Sequence, residues 1–127
     1  MVMRRILFAL PILLAACGNV PQQTNSLAPA AFEVRLSEPA VQLIDARTPS
    51  EYNTGYLADA INLDWNGGQL EAAAGKLDKS KPVLLYCASG RRSAAARAFL
   101  IEQGFKDVVD LDGGIGAWVM AGKAIKD

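Results

Sequence analysis

The 127-residue sequence contains no histidine. Cys–His proteases, Ser–His–Asp hydrolases and nearly all zinc sites are thereby excluded, because each needs an imidazole as base or ligand. No metal and no cofactor are expected. Chemistry must be done with thiols, carboxylates, arginines and backbone amides. Cysteine is scarce, with only Cys17 and Cys87. Neither sign of charge is in excess, at 13 basic and 13 acidic residues. No basic stripe is present, which argues against nucleic acid as a partner. Nor is there an apolar run of the ~20 residues needed to cross a bilayer.

What the N-terminus does have is a short apolar run in an export context. Arg4 and Arg5 precede Ile6 to Leu14, and Leu14-Ala15-Ala16-Cys17 follows. This order reads as a signal peptide over residues 1–16 rather than a membrane helix. The Leu-Ala-Ala-Cys ending resembles a bacterial lipobox. That resemblance implies acylation of Cys17 on its sulfur and cleavage that makes it the first residue. Lipid chains contribute ~0.8 kcal/mol per buried methylene, so two or three would hold the domain on a membrane. The implied location is the cell envelope, facing the periplasm. Gly18 is not the aspartate that favours inner-membrane retention in enteric bacteria, which leaves the outer membrane open. Residues 1–16 hold two arginines and no carboxylate, so the remainder has 11 basic and 13 acidic residues.

Residues 17–26 read as a flexible tether, being polar, uncharged and interrupted by one proline. Residues 27–127 are expected to form one domain. With Cys17 as a thioether, Cys87 is the only thiol. It is then a reactive thiol, a mixed-disulfide partner or an inert buried cysteine.

Within the domain, apolar runs of strand length alternate with helical segments. Leu27 starts a short edge strand, and Pro29 opens a helix bearing Phe32 and Leu36. Val41 to Ile44 is a strand ending at Asp45. Thr48-Pro49-Ser50-Glu51 has capping-box spacing at a helix start. Ala60 to Leu63 is a strand and Gln69 to Leu77 a helix. Val83-Leu84-Leu85-Tyr86 is the most apolar run, expected at the centre of the sheet and buried on both faces. Arg91 to Gln103 is helical, Val108 to Leu111 a strand, and Gly113-Gly114 leads into a last helix holding Trp118. The pattern predicts an α/β fold, a central mostly parallel sheet with helices on both faces. Ligands in such sheets sit beyond the carboxyl ends of the strands.

Cys87 falls at such an end, in Tyr86-Cys87-Ala88-Ser89-Gly90-Arg91-Arg92-Ser93. A strand delivers the cysteine to a short loop that opens directly into a helix. Amides from Ala88 to about Ser93 should converge on the sulfur, as unpaired amides at a helix N-terminus do on anions. Gly90 permits a conformation that a side chain opposes. Arg91 and Arg92 add positive charge, and all of this favours thiolate over thiol. Asp45 and Arg47 at a strand end commonly pair with each other or with Glu51; Arg47 is also a candidate for steering an anion.

The loop is similar to the active-site loop of the rhodanese family, the thiosulfate sulfurtransferases. Three further segments resemble that family's signatures: Asp45 to Tyr52, Gly55 to Asn62, and Leu111 to Trp118. The resemblance runs from about Leu27 to Ala124. It implies a rhodanese-like fold in which Cys87 takes the outer sulfur of thiosulfate or a persulfide and passes it to a thiol or cyanide. It also implies that Ala88, Ser89, Gly90, Arg91, Arg92 and Ser93 bind substrate. The six-residue loop from Cys87 to Arg92 goes with sulfur transfer, since related phosphatases and arsenate reductases carry one residue more. Tyr56 replaces the usual histidine and Asp59 the usual glycine. Asp59 would weaken the anion field if it lay at the mouth. The rival expectations are a rhodanese-fold module that binds a protein partner without catalysis, or a phosphatase or arsenate reductase.

Overall fold

The computed structural model describes residues 25–127. The signal segment, Cys17 and all but the end of the tether lie outside the described residues. Five strands form one parallel sheet in the order β1-β5-β4-β2-β3. They are β1 (Ser26–Leu27), β2 (Gln42–Asp45), β3 (Ile61–Asn62), β4 (Val83–Tyr86) and β5 (Val108–Leu111). The most apolar run, β4, is central. Strand pairing begins at Ser26, one residue before the expected domain start, and the Asn25 carbonyl already accepts from Asp110 N–H at 2.9 Å.

Side chains of β4 alternate between two cores, as the pleat requires. Leu84 and Tyr86 face Phe32 of α1 (Pro29–Leu36) and Trp118 of α5 (Gly114–Met120). Val83 and Leu85 face Leu70 of α3 (Gln69–Ala73) and Ala96 and Leu100 of α4 (Arg91–Glu102). Both faces are thus covered, which is why all four β4 residues can be apolar and buried. Trp118 meets Phe32 edge-on, with ring centroids 6.3 Å apart, and its Nε1–H donates to the Ala124 carbonyl.

The short helix α2 (Pro49–Tyr52) has the reciprocal cap expected from its sequence. Glu51 N–H donates to the Thr48 hydroxyl, and Thr48 N–H donates to Glu51 Oε1. Two elements are shorter than expected. The Gln69–Leu77 helix tightens at Ala74–Lys76 into a single 3₁₀ turn containing Gly75, a poor helix former. The Ala60–Leu63 strand pairs only at Ile61 and Asn62; past it, Leu63 N–H donates to the carbonyl of Asp45 at the end of β2 and Trp65 N–H to that of Ala46 just beyond.

Candidate active site

Cys87 stands one residue beyond the carboxyl end of β4, at the bottom of its loop. Cys87 is 1% exposed, whereas Ser89 is exposed. Gly90 N–H donates to Sγ at 3.1 Å. Burial pushes the thiol up, but the Ser93 hydroxyl and the N–H groups of Ser93, Gly90 and Ser89 more than offset this. The thiol is therefore held below its ordinary value.

The loop's amides face the sulfur because its carbonyls are held on the other side. Ile115 N–H donates to the Cys87 carbonyl at 2.9 Å, and Gly116 N–H to the Ala88 carbonyl at 3.2 Å. In a trans peptide the C=O and N–H point in opposite directions. Fixing those two carbonyls on the first turn of α5 turns the N–H groups of Ala88 and Ser89 the other way. The close approach needs Gly114: a Cβ there would lie 2.5 Å from the Cys87 and Ala88 carbonyl oxygens. Gly90 caps α4 with φ +107°, a left-handed conformation that starts the helix within reach of the sulfur.

Ser93 is fully buried on the first turn of α4. Its Oγ lies 3.2 Å from the Gly90 carbonyl and 3.1 Å from Asp110 Oδ2. Asp110, on β5, is also paired with Arg97. A buried carboxylate behind the loop carries no sequence signal beyond a lone acidic residue inside an apolar strand.

The two loop arginines differ. Arg91 is exposed. Arg92 is partly buried and grips Glu51 through two bonds, Nη1–Oε1 at 2.7 Å and Nη2–Oε2 at 2.9 Å. It also lies within electrostatic range of Cys87 and Asp64. Arg92 holds the Glu51 carboxyl at about 2, well below its ordinary value. The capping carboxylate of α2 is thus also the partner of a loop arginine, which its spacing alone did not reveal.

Arg47 is engaged with the corner at the end of β2. Its Nη2 donates to Asp45 Oδ2 at 2.7 Å and to the Gly55 carbonyl at 2.6 Å, and its Nε is 3.1 Å from each Asp45 oxygen. It is 4% exposed and lies over the Tyr86 ring. Arg47 thus ties the end of β2 to the Gly55 turn. Asn62 supports the same corner, donating through Nδ2 to the Asp45 and Arg47 carbonyls. Tyr56, at the position of the family's usual histidine, stacks on Tyr52 with centroids 4.3 Å apart. Asp59 lines a separate groove with Leu36, Val41 and Leu43, and has φ +69°, where glycine is at ease. Among the described residues no group of Cys, Asp and Glu could hold a metal ion.

The described residues thus form a parallel α/β domain that presents a single thiol on an amide-lined loop. The rhodanese-like domain model matches residues 28–121, and the chain belongs to that family. It is 39% identical over 79 residues to the thiosulfate sulfurtransferase GlpE of Shewanella oneidensis, covering 62% of this chain and 76% of that protein. It is 33% identical over 95 residues to the tRNA uridine(34) hydroxylase of Pelagibacter ubique, covering 74% of this chain but 32% of that longer protein. A rhodanese-related protein from Thermoplasma volcanium superposes with a TM-score of 0.71 at 32% identity, covering 80% of this chain and 96% of that one.

Proposed function

We propose that the protein is a sulfurtransferase that carries a sulfane sulfur as a persulfide on Cys87. With thiosulfate, Cys87–S⁻ attacks the outer sulfur, forming an S–S bond as the donor's S–S bond breaks. Cys87–S–S⁻ and sulfite leave, with charge conserved. An acceptor thiolate or cyanide then attacks the outer persulfide sulfur. It departs as a persulfide or thiocyanate and restores Cys87–S⁻. The observation carrying this reading is the convergence of loop N–H groups on a thiol held below its ordinary value. The same donors can serve the terminal sulfur of the persulfide, so both resting states are stabilised. A thiol this enclosed favours a slender terminal sulfur over a bulky group. The test is intact-mass analysis before and after incubation with thiosulfate. The expected result is a gain of one sulfur atom that is lost on adding cyanide and absent in Cys87→Ala. No gain with any sulfane donor overturns the proposal.

We further propose that the domain is lipid-anchored through Cys17 in the cell envelope and faces the periplasm. The order of charged, apolar and small residues before Cys17 supports it. Protein extracted from membranes should start at an acylated Cys17. Cys17→Ser protein that retains the full leader is also expected, whereas unmodified full-length protein in the wild type would overturn the assignment.

A further inference from the structure

Glu51 and Arg92 form the most specific contact at the site that sulfur transfer itself does not require. Both terminal nitrogens of Arg92 are engaged by the two oxygens of one carboxylate, the strongest geometry this pair can adopt. Glu51 is fixed in turn by Thr48, whose hydroxyl and N–H both lie against Oε1. The carboxylate is therefore held in place before any substrate arrives. Asp64, 9% exposed, adds a second negative charge within range of Arg92. The cation of Arg92 is thus already matched by Glu51, with Asp64 also within its electrostatic range. Arg91, the other loop cation, is exposed.

We propose that Glu51 sets the charge of the sulfur donor: by occupying Arg92 it makes the site favour sulfane donors of low charge, such as alkyl persulfides, over dianions such as thiosulfate. The proposal deepens the sulfurtransferase reading and rests on it for the donor's chemistry. The charge at the sulfur can nevertheless be measured without any sulfur transfer.

The test compares alkylation of Cys87 by iodoacetate, an anion, and iodoacetamide, its neutral analogue. It uses the full chain, with adducts resolved at the Cys87 peptide and rates normalised to a free thiol. In the wild type, iodoacetate should be the disfavoured reagent, and added salt should narrow the gap by screening the repulsion. Glu51→Gln keeps an oxygen for the Thr48 cap while releasing Arg92. It should raise the iodoacetate-to-iodoacetamide ratio roughly threefold to tenfold, as expected for one charge near an enclosed sulfur. Arg92→Ala, which leaves the Glu51 carboxylate unmatched, should lower the ratio by a similar factor. An unchanged ratio in a folded Glu51→Gln protein overturns the proposal. So does an unchanged ratio in a folded Arg92→Ala protein, or a wild-type preference for iodoacetate that salt weakens. The salt titration needs no variant, so the proposal stays testable if Glu51→Gln does not fold. With donors, Glu51→Gln should lower KM for the thiosulfate dianion severalfold and KM for a monoanionic alkyl persulfide by a smaller factor. Failure of the sulfurtransferase reading is distinct: no donor of any charge would place sulfur on Cys87, whatever the alkylation ratio.

Discussion

At Gly114 the backbone of α5 comes so near the Cys87 loop that a methyl group would overlap two carbonyl oxygens, and φ is +63°. Gly114→Ala must therefore displace the loop or lose the N–H contacts from Ile115 and Gly116. Once the carbonyls are free to turn, the amides no longer converge. Iodoacetamide reactivity of Cys87 against pH should then show its midpoint shifted upward, towards that of an ordinary thiol. Ser93→Ala should move it the same way through loss of the hydroxyl. Asp59, in a left-handed conformation at φ +69°, is the opposite case. Asp59→Gly should raise stability by up to about 1 kcal/mol in urea denaturation, with no effect on sulfur transfer. The sequence makes Cys87, Gly90 and the arginine pair conspicuous, because the residues that bend and charge the loop are contiguous with it. Ser93 as a donor and Gly114 as a spacer are harder to read, since their partners arrive from β5 and α5. The buried ion pair of Arg47 with Asp45 is legible as a strand-end pairing, whereas its bond to the Gly55 carbonyl is not.

At the scale of elements, strands and helices follow from local signals where those signals are strong. The apolar run of β4 and the Thr48–Glu51 cap are both set by residues within a few positions of each other. The 3₁₀ turn after Ala73 and the brevity of β3 depend on what the neighbouring loop offers as hydrogen-bond partners, so periodicity overextends both elements. The cap of α2 links local structure to the site. Thr48→Ala removes the hydroxyl that accepts from Glu51 N–H, at a cost of about 1 kcal/mol. It also loosens the carboxylate that grips Arg92. Urea titration should register the lost stability. The alkylation ratio should move in the same direction as in Glu51→Gln, by a smaller factor.

For the whole molecule, acid is the informative perturbation. Glu51 ionises at about 2 in the folded state, against an ordinary 4.5. A depressed carboxyl contributes stability in full above 4.5 and loses it as pH falls towards 2. Unfolding free energy should therefore fall across that window, and the Glu51→Gln protein should show a shallower decline there. Glu51 is about a third exposed on its side chain, so solvent screening keeps the effect modest.

All five strands run in one direction, and β1 leads the chain towards the rim that carries Cys87. Because β1 lies two strands from β4, that path is offset by roughly 10 Å from the line of the sulfur. Ser26 pairs level with Asp110, which itself stands level with Leu85, so the chain enters the sheet only two residues short of the level of Cys87. Were the domain held by a leash fastened there, the reactive rim would lie beside its point of attachment rather than diametrically opposite to it.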